Sequence, residues 1–160
     1  MVMRSHRFLI TAIAWLMSSG AGHAQPRLQH CLAYEPAVVR LDGRMQRRTF
    51  PGPPNYSSIQ EGDRPEVQWI LYLSSPVCVS ATPGDDLNGV NESGITAMQL
   101  VIMITGDEKR YAPLIGKEVQ VKGTLFHSFS GHHRTPVLLK VRLIESRPSG
   151  SESGHVGRPE

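Results

Sequence analysis

Hydrophobic and polar positions alternate with a period of two along much of the chain, and windows with helical spacing are scarce. Val39, Leu41, Gly43 and Met45 alternate with Arg40, Asp42 and Arg44, which predicts a first strand with one face in water. Val67, Trp69, Leu71 and Leu73 alternate with Gln68, Ile70 and Tyr72 and predict a second. The run from Met98 to Ile104 is almost continuously apolar and predicts a third, more buried strand. Val119, Val121 and Leu125 alternate with Gln120, Lys122 and Thr124, and Leu139, Val141 and Leu143 with Lys140, Arg142 and Ile144, for strands four and five.

Between the third and fourth strands, Gly106 to Lys117 is too short for a long helix and suits one short helical turn closed by Gly116. Five strands with such a connection after the third predict an all-β fold, a small five-stranded OB-like Greek-key barrel with one short helical turn. An immunoglobulin-like sandwich would want about seven strands.

The flanks carry a different pattern. Arg4 and Arg7 precede an apolar run from Phe8 to Met17, followed by small residues ending at Ala24, the three-part pattern of a secretion signal. The apolar run stops at Ser18, short of the roughly 20 residues a membrane span needs. Residues 1–24 are therefore expected to be cleaved after Ala24, leaving no membrane span and a periplasmic or secreted protein. Residues 25–146 are expected to form a single β-barrel domain. Residues 147–160, rich in Ser, Gly and Pro with almost no apolar side chain, are expected to be a disordered tail.

Cleavage changes the charge. Losing Arg4 and Arg7 takes the 17 basic residues to 15, against 14 acidic ones, so net charge gives no support for a nucleic-acid partner. The two cysteines, Cys31 and Cys78, would both enter an oxidising space, where a disulfide is the economical reading and a reactive thiol the alternative. Such a bond would stabilise by about 3–4 kcal/mol in the chain-entropy treatment.

Two loops offer candidate chemistry. Thr49 to Tyr56 holds three prolines and a glycine, so it is a stiff, extended segment able to present Phe50 and Tyr56, with Asn55 beside them, as a ligand platform. The competing reading has the two rings plug the open end of the barrel. His127 to Pro136 joins strands four and five and carries His127, His132 and His133, which invites a metal reading. Adjacent His132 and His133 point to opposite sides of an extended chain, and no zinc motif accompanies them. In the structural reading one ring bonds a backbone carbonyl and Thr135 bonds across the neck of the loop. The acidic loop Thr82 to Gly94 lacks the ligand order of a calcium loop and reads as a solvated connection. No nucleophile elbow, HExxH helix or phosphate loop is present, so the sequence assigns no catalytic residue and no cofactor.

Cys31 to Pro36, Thr49 to Tyr56, Gly62 to Glu66, Pro76 to Val79 and Gly131 to Leu139 together resemble a family of exported bacterial proteins known as domain of unknown function 4431. The resemblance implies an envelope setting and supplies no catalytic residue. Two functions are expected to compete. One is a noncatalytic periplasmic module that binds an envelope protein or glycan, with Phe50, Asn55, Tyr56, His132, His133, Arg134 and Thr135 as contacts. The other is a metal-binding or metal-dependent protein built on His127, His132 and His133.

Overall fold

The computed structural model describes residues 31–147, so the expected signal segment and the tail from 148 onward lie outside the described residues. Six strands form one sheet: β1 (Leu32–Ala33), β2 (Val38–Pro51), β3 (Pro65–Ser80), β4 (Glu92–Val101), β5 (Glu118–His127) and β6 (Val137–Ser146). A helix α1 (Asp107–Tyr111) and a 3-10 turn (Ala112–Leu114) lie between β4 and β5. Gly116 closes this segment at φ 81°, a left-handed conformation that glycine adopts without steric cost.

The five long strands follow the order β3-β2-β5-β6-β4, and a further β4 to β3 pairing closes the ring. All long pairings are antiparallel except β4 with β6, where Gln99, Leu100 and Val101 run beside Leu138, Leu139 and Lys140. One parallel pair in an otherwise antiparallel ring, with a helix after the third long strand, is the expected OB-like barrel. The two-residue β1 is an addition that alternation cannot reveal. It lies parallel to Val79 and Ser80 and is tied there by the Cys31–Cys78 disulfide, so the expected bond forms.

Inside the ring, every second residue meets at one core. Met45, Leu71, Met98, Val119, Val121, Leu125, Val137 and Leu139 are all fully buried there, and each such side chain contributes on the order of 1.5–3 kcal/mol. Gly43 sits where β2 pairs with β5 on one side and β3 on the other. A Cβ there would lie 2.2 Å from the carbonyl oxygen of Tyr72, so no larger residue fits.

Three boundaries differ from the alternation. The third long strand spans Glu92–Val101, and not Met98 to Ile104, because its ladders end at Leu100 with β3 and Val101 with β6. Met103 and Ile104 are thereby left 65% and 62% exposed. Thr49, Phe50 and Pro51 belong to β2, paired with Val67, Glu66 and Pro65, so the rigid loop begins at Gly52. The loop after β3 ends at Asn91 and is more than a solvated connection, since Asn88 is buried inside it.

Candidate functional site

The outer face of the barrel is not wholly wet. Across four neighbouring strands the paired residues Ile70, Gln99, Leu138 and Phe126 form a strip that is at most 6% exposed although it faces away from the core. The loop 128–136 folds back over this strip and covers it. Its neck is closed by the Ser128 N–H donating to the Pro136 carbonyl. Thr135 bonds the sheet, and not the neck: its hydroxyl accepts from the Gln99 N–H at 2.9 Å and donates to the Val137 carbonyl at 2.7 Å.

Gln99 holds the loop from below. Its carbonyl oxygen accepts the Arg134 N–H at 2.7 Å, while its amide donates to Gln68 and to the His132 carbonyl. These bonds put the Arg134 side chain, only 9% exposed, against the β2–β3 hairpin. There its guanidinium donates to the Pro51 carbonyl at 2.7 Å and to Glu66 at 3.1 Å, and lies 5.4 Å from the centroids of both the Phe50 and Tyr56 rings. Phe50 and Tyr56 therefore do not plug the barrel. They grip an arginine outside it, and the aromatic rings buried in the core are those of Tyr34, Trp69 and Tyr111.

Glu66 also accepts from Nδ1 of His132 at 2.9 Å, and Nε2 of His132 lies 3.1 Å from the Tyr56 hydroxyl. Loss of water pushes the Glu66 carboxyl up, but the bonds and charges of His132 and Arg134 outweigh this and hold it below the usual range. Tyr56 alone among the described non-glycine residues has a positive φ, 58°. A left-handed tyrosine costs on the order of 1–2 kcal/mol. The His132 bond, the guanidinium and the approach of Gly131, whose Cβ would stand 3.1 Å from the ring, all favour that posture.

The hairpin loop has its own centre in Asp63, a residue in neither the aromatic nor the histidine pattern. Its carboxylate accepts the N–H groups of Asn55, Ser57 and Ser58 at 2.7–2.9 Å. Desolvation raises this carboxyl, and the three N–H bonds with the Ser57 hydroxyl reverse that and lower it to about 2. Asn55 thus enters the site through its backbone.

The three histidines do not converge. His127 bonds Glu92 at 3.1 Å and sits against Tyr34, while His132 bonds Glu66 and Tyr56. His133 stacks edge-on with Phe129 at 4.6 Å and with Phe126 at 5.6 Å. Burial there, with the neighbouring charge of His132, lowers the His133 pKa. Among the described residues no three His, Cys, Asp or Glu side chains are grouped to hold an ion.

What the two loops make together is a polar ridge, Tyr56–His132–Glu66–Arg134, beside an aromatic stack in which Phe129 is 64% exposed. Glu66, Gln99 and Phe129 were missed as site residues because each is an ordinary strand or loop residue until the loops meet.

Residues 97–145 match the model of a family described as a domain of unknown function (DUF4431). The matched stretch holds Gln99 and the whole loop 128–136, whereas the hairpin loop 52–64 lies outside it. No curated protein matches the chain. Among the described residues no helix is long and apolar enough to cross a membrane.

Proposed function

We propose that this protein is a noncatalytic binding module of the bacterial envelope, periplasmic or secreted after cleavage near Ala24, that holds an envelope glycan or protein on the face made by its two loops. The observation that carries this reading is the side-chain chain Tyr56–His132–Glu66–Arg134, which fixes loops 76 residues apart in sequence into one surface. A preorganised surface binds without the cost of ordering its loops. Beside it, an exposed phenylalanine ring offers a stacking plane and the imidazole, carboxylate and hydroxyl offer directional hydrogen bonds, the combination sites use for sugars and for peptide side chains. OB-like barrels present ligands to the corresponding loops, an analogy of fold that permits the reading. The disulfide is compatible with an oxidising compartment.

Binding of the mature protein to purified peptidoglycan fragments and to envelope extracts, compared with Phe129→Ala, tests it. Phe129 is a surface residue, so the variant should fold as wild type and lose most of the retention. Equal retention by both proteins would sink the reading. The metal alternative requires the histidines to meet, and their separate partners argue against it.

A further inference from the structure

Beyond the loop face, a second surface lies where β3 and β4 part. Their ladder starts at Trp69 with Leu100, yet β3 begins four residues earlier at Pro65, and Pro65 to Gln68 are paired only with β2. The edge of these residues that faces β4 has no ladder. On the opposite side β4 leaves the sheet after Val101. The fork encloses an open cavity of about 250 Å³, lined by Arg47, Val67, Trp69, Gln99, Ile102 and Glu108 among others.

Exposed apolar side chains adjoin it in the chain. Val67, at 45%, is joined by Met103 at 65% and Ile104 at 62%, the last two directly following the lining residue Ile102. Free, apolar edges are normally blunted by charge or cover, because they accept further strands. The charge present has one sign on the β2 side. Arg44, Arg134 and Arg147 have carboxylate partners among the described residues, but Arg47 and Arg48 have none.

Independently of the loop-face reading, we infer that the β3–β4 fork is a docking site for an extended peptide that adds as a strand along Pro65 to Gln68. One acidic side chain meets Arg47, and apolar ones cover Val67, Met103 and Ile104. Main-chain hydrogen bonds supply the affinity in this mode, and alternate side chains supply the selectivity. Glu108, also among the lining residues, disfavours a second acid beside it.

The test begins with selection of displayed random decapeptides on the full mature protein, followed by synthesis of the best binder. The selected sequences should alternate apolar and polar residues with an Asp or Glu in register. N-methylation at alternate positions should weaken the synthetic peptide by about tenfold or more, and Arg47→Glu should do the same and reselect for lysine. Arg47 is exposed, so that variant keeps the fold, and an unchanged melting temperature verifies it. Phe129→Ala should leave peptide affinity intact, which separates this site from the loop face. The inference is overturned if no selected peptide is sensitive to Arg47→Glu, or if N-methylation is tolerated at every position. It is equally overturned if the fork is filled by a second copy of the chain, seen as a concentration-dependent dimer abolished by Met103→Asp.

Discussion

His127 and His132 each hold a glutamate, Glu92 at 3.1 Å and Glu66 at 2.9 Å, but the two pairs sit in opposite circumstances. At His127 both ring nitrogens face acceptors, the Ser128 carbonyl at Nδ1 and Glu92 at Nε2. At His132, Glu66 lies at Nδ1 and the Tyr56 hydroxyl, which can donate or accept, lies at Nε2, so the neutral and the protonated ring are both satisfied. The His127 side chain is 20% exposed, that of His132 54%. Around His127 everything ties the chain to itself. Asn88 caps the His127 N–H, the Tyr34 hydroxyl donates to the Val90 carbonyl, and the disulfide anchors β1 nearby on β3. Around His132 the bonds join two distant loops and leave the ring in water. One carboxylate–imidazole pair is a fastener and the other a surface group held ready, which is why the binding reading uses His132 and not His127.

Removing the covalent tie should have the largest effect. A Cys31→Ser, Cys78→Ser double variant frees a closure spanning 47 positions and should lose about 4 kcal/mol in urea unfolding. Amide exchange should quicken at Asn88 and His127 and stay slow at Arg134. If both regions loosen together, they form one cooperative unit and the distinction drawn above fails.

Next in size is Arg134→Met, which keeps the bulk but removes the bonds to Pro51 and Glu66 and leaves Glu66 half-desolvated. The expected cost is about 2–3 kcal/mol. Exchange should now quicken in 52–64 and leave Asn88 unchanged, the mirror image of the cysteine variant.

Asp63→Asn sharpens the comparison through pH. The Asp63 pKa is depressed to about 2 in the fold, so its contribution is complete above the unfolded value near 4 and is lost as pH falls towards 2. The variant should melt about 5–10 °C lower at neutral pH, with the gap constant above roughly pH 5 and closing below it. A gap that does not narrow in acid would show that the carboxylate's charge is not what organises the hairpin loop.

How much of this could be read from sequence follows from periodicity. Five long strands, the turn closed by Gly116 and the Cys31–Cys78 bond were legible because alternation, glycine chemistry and a lone pair of cysteines each leave a local mark. Ile70 falls among the polar positions of the alternation yet is buried, in the strip beside Gln99 that lies outside the core. Met103 and Ile104 looked like strand because hydrophobicity alone does not show that a ladder has run out of partners. Of the loop face, Phe50, Tyr56, His132 and Arg134 were visible as unusual residues in unusual segments. Their union was not, because it depends on Glu66 and Gln99, polar residues whose roles arise only from long-range pairing. The metal reading came from counting histidines along the chain, although the adjacency of His132 and His133 already set them facing apart.

The smallest change tests the surface pair directly. Tyr56→Phe removes one hydroxyl bonded to a ring that is more than half exposed, so stability should fall by less than about 1 kcal/mol. The sensitive readout is the ring itself. Free imidazole favours the proton on Nε2, whereas the Glu66 and Tyr56 bonds require it on Nδ1. Nitrogen shifts of His132 at about pH 8 should therefore report the Nδ1–H tautomer in the wild-type protein. In Tyr56→Phe the donor to Nε2 is gone and the Nε2–H form should gain population, while His127, with no hydroxyl partner, should not respond. A wild-type His132 with its proton on Nε2 would mean that Tyr56 and Glu66 do not act on it together, and the preorganised ridge would lose its central link.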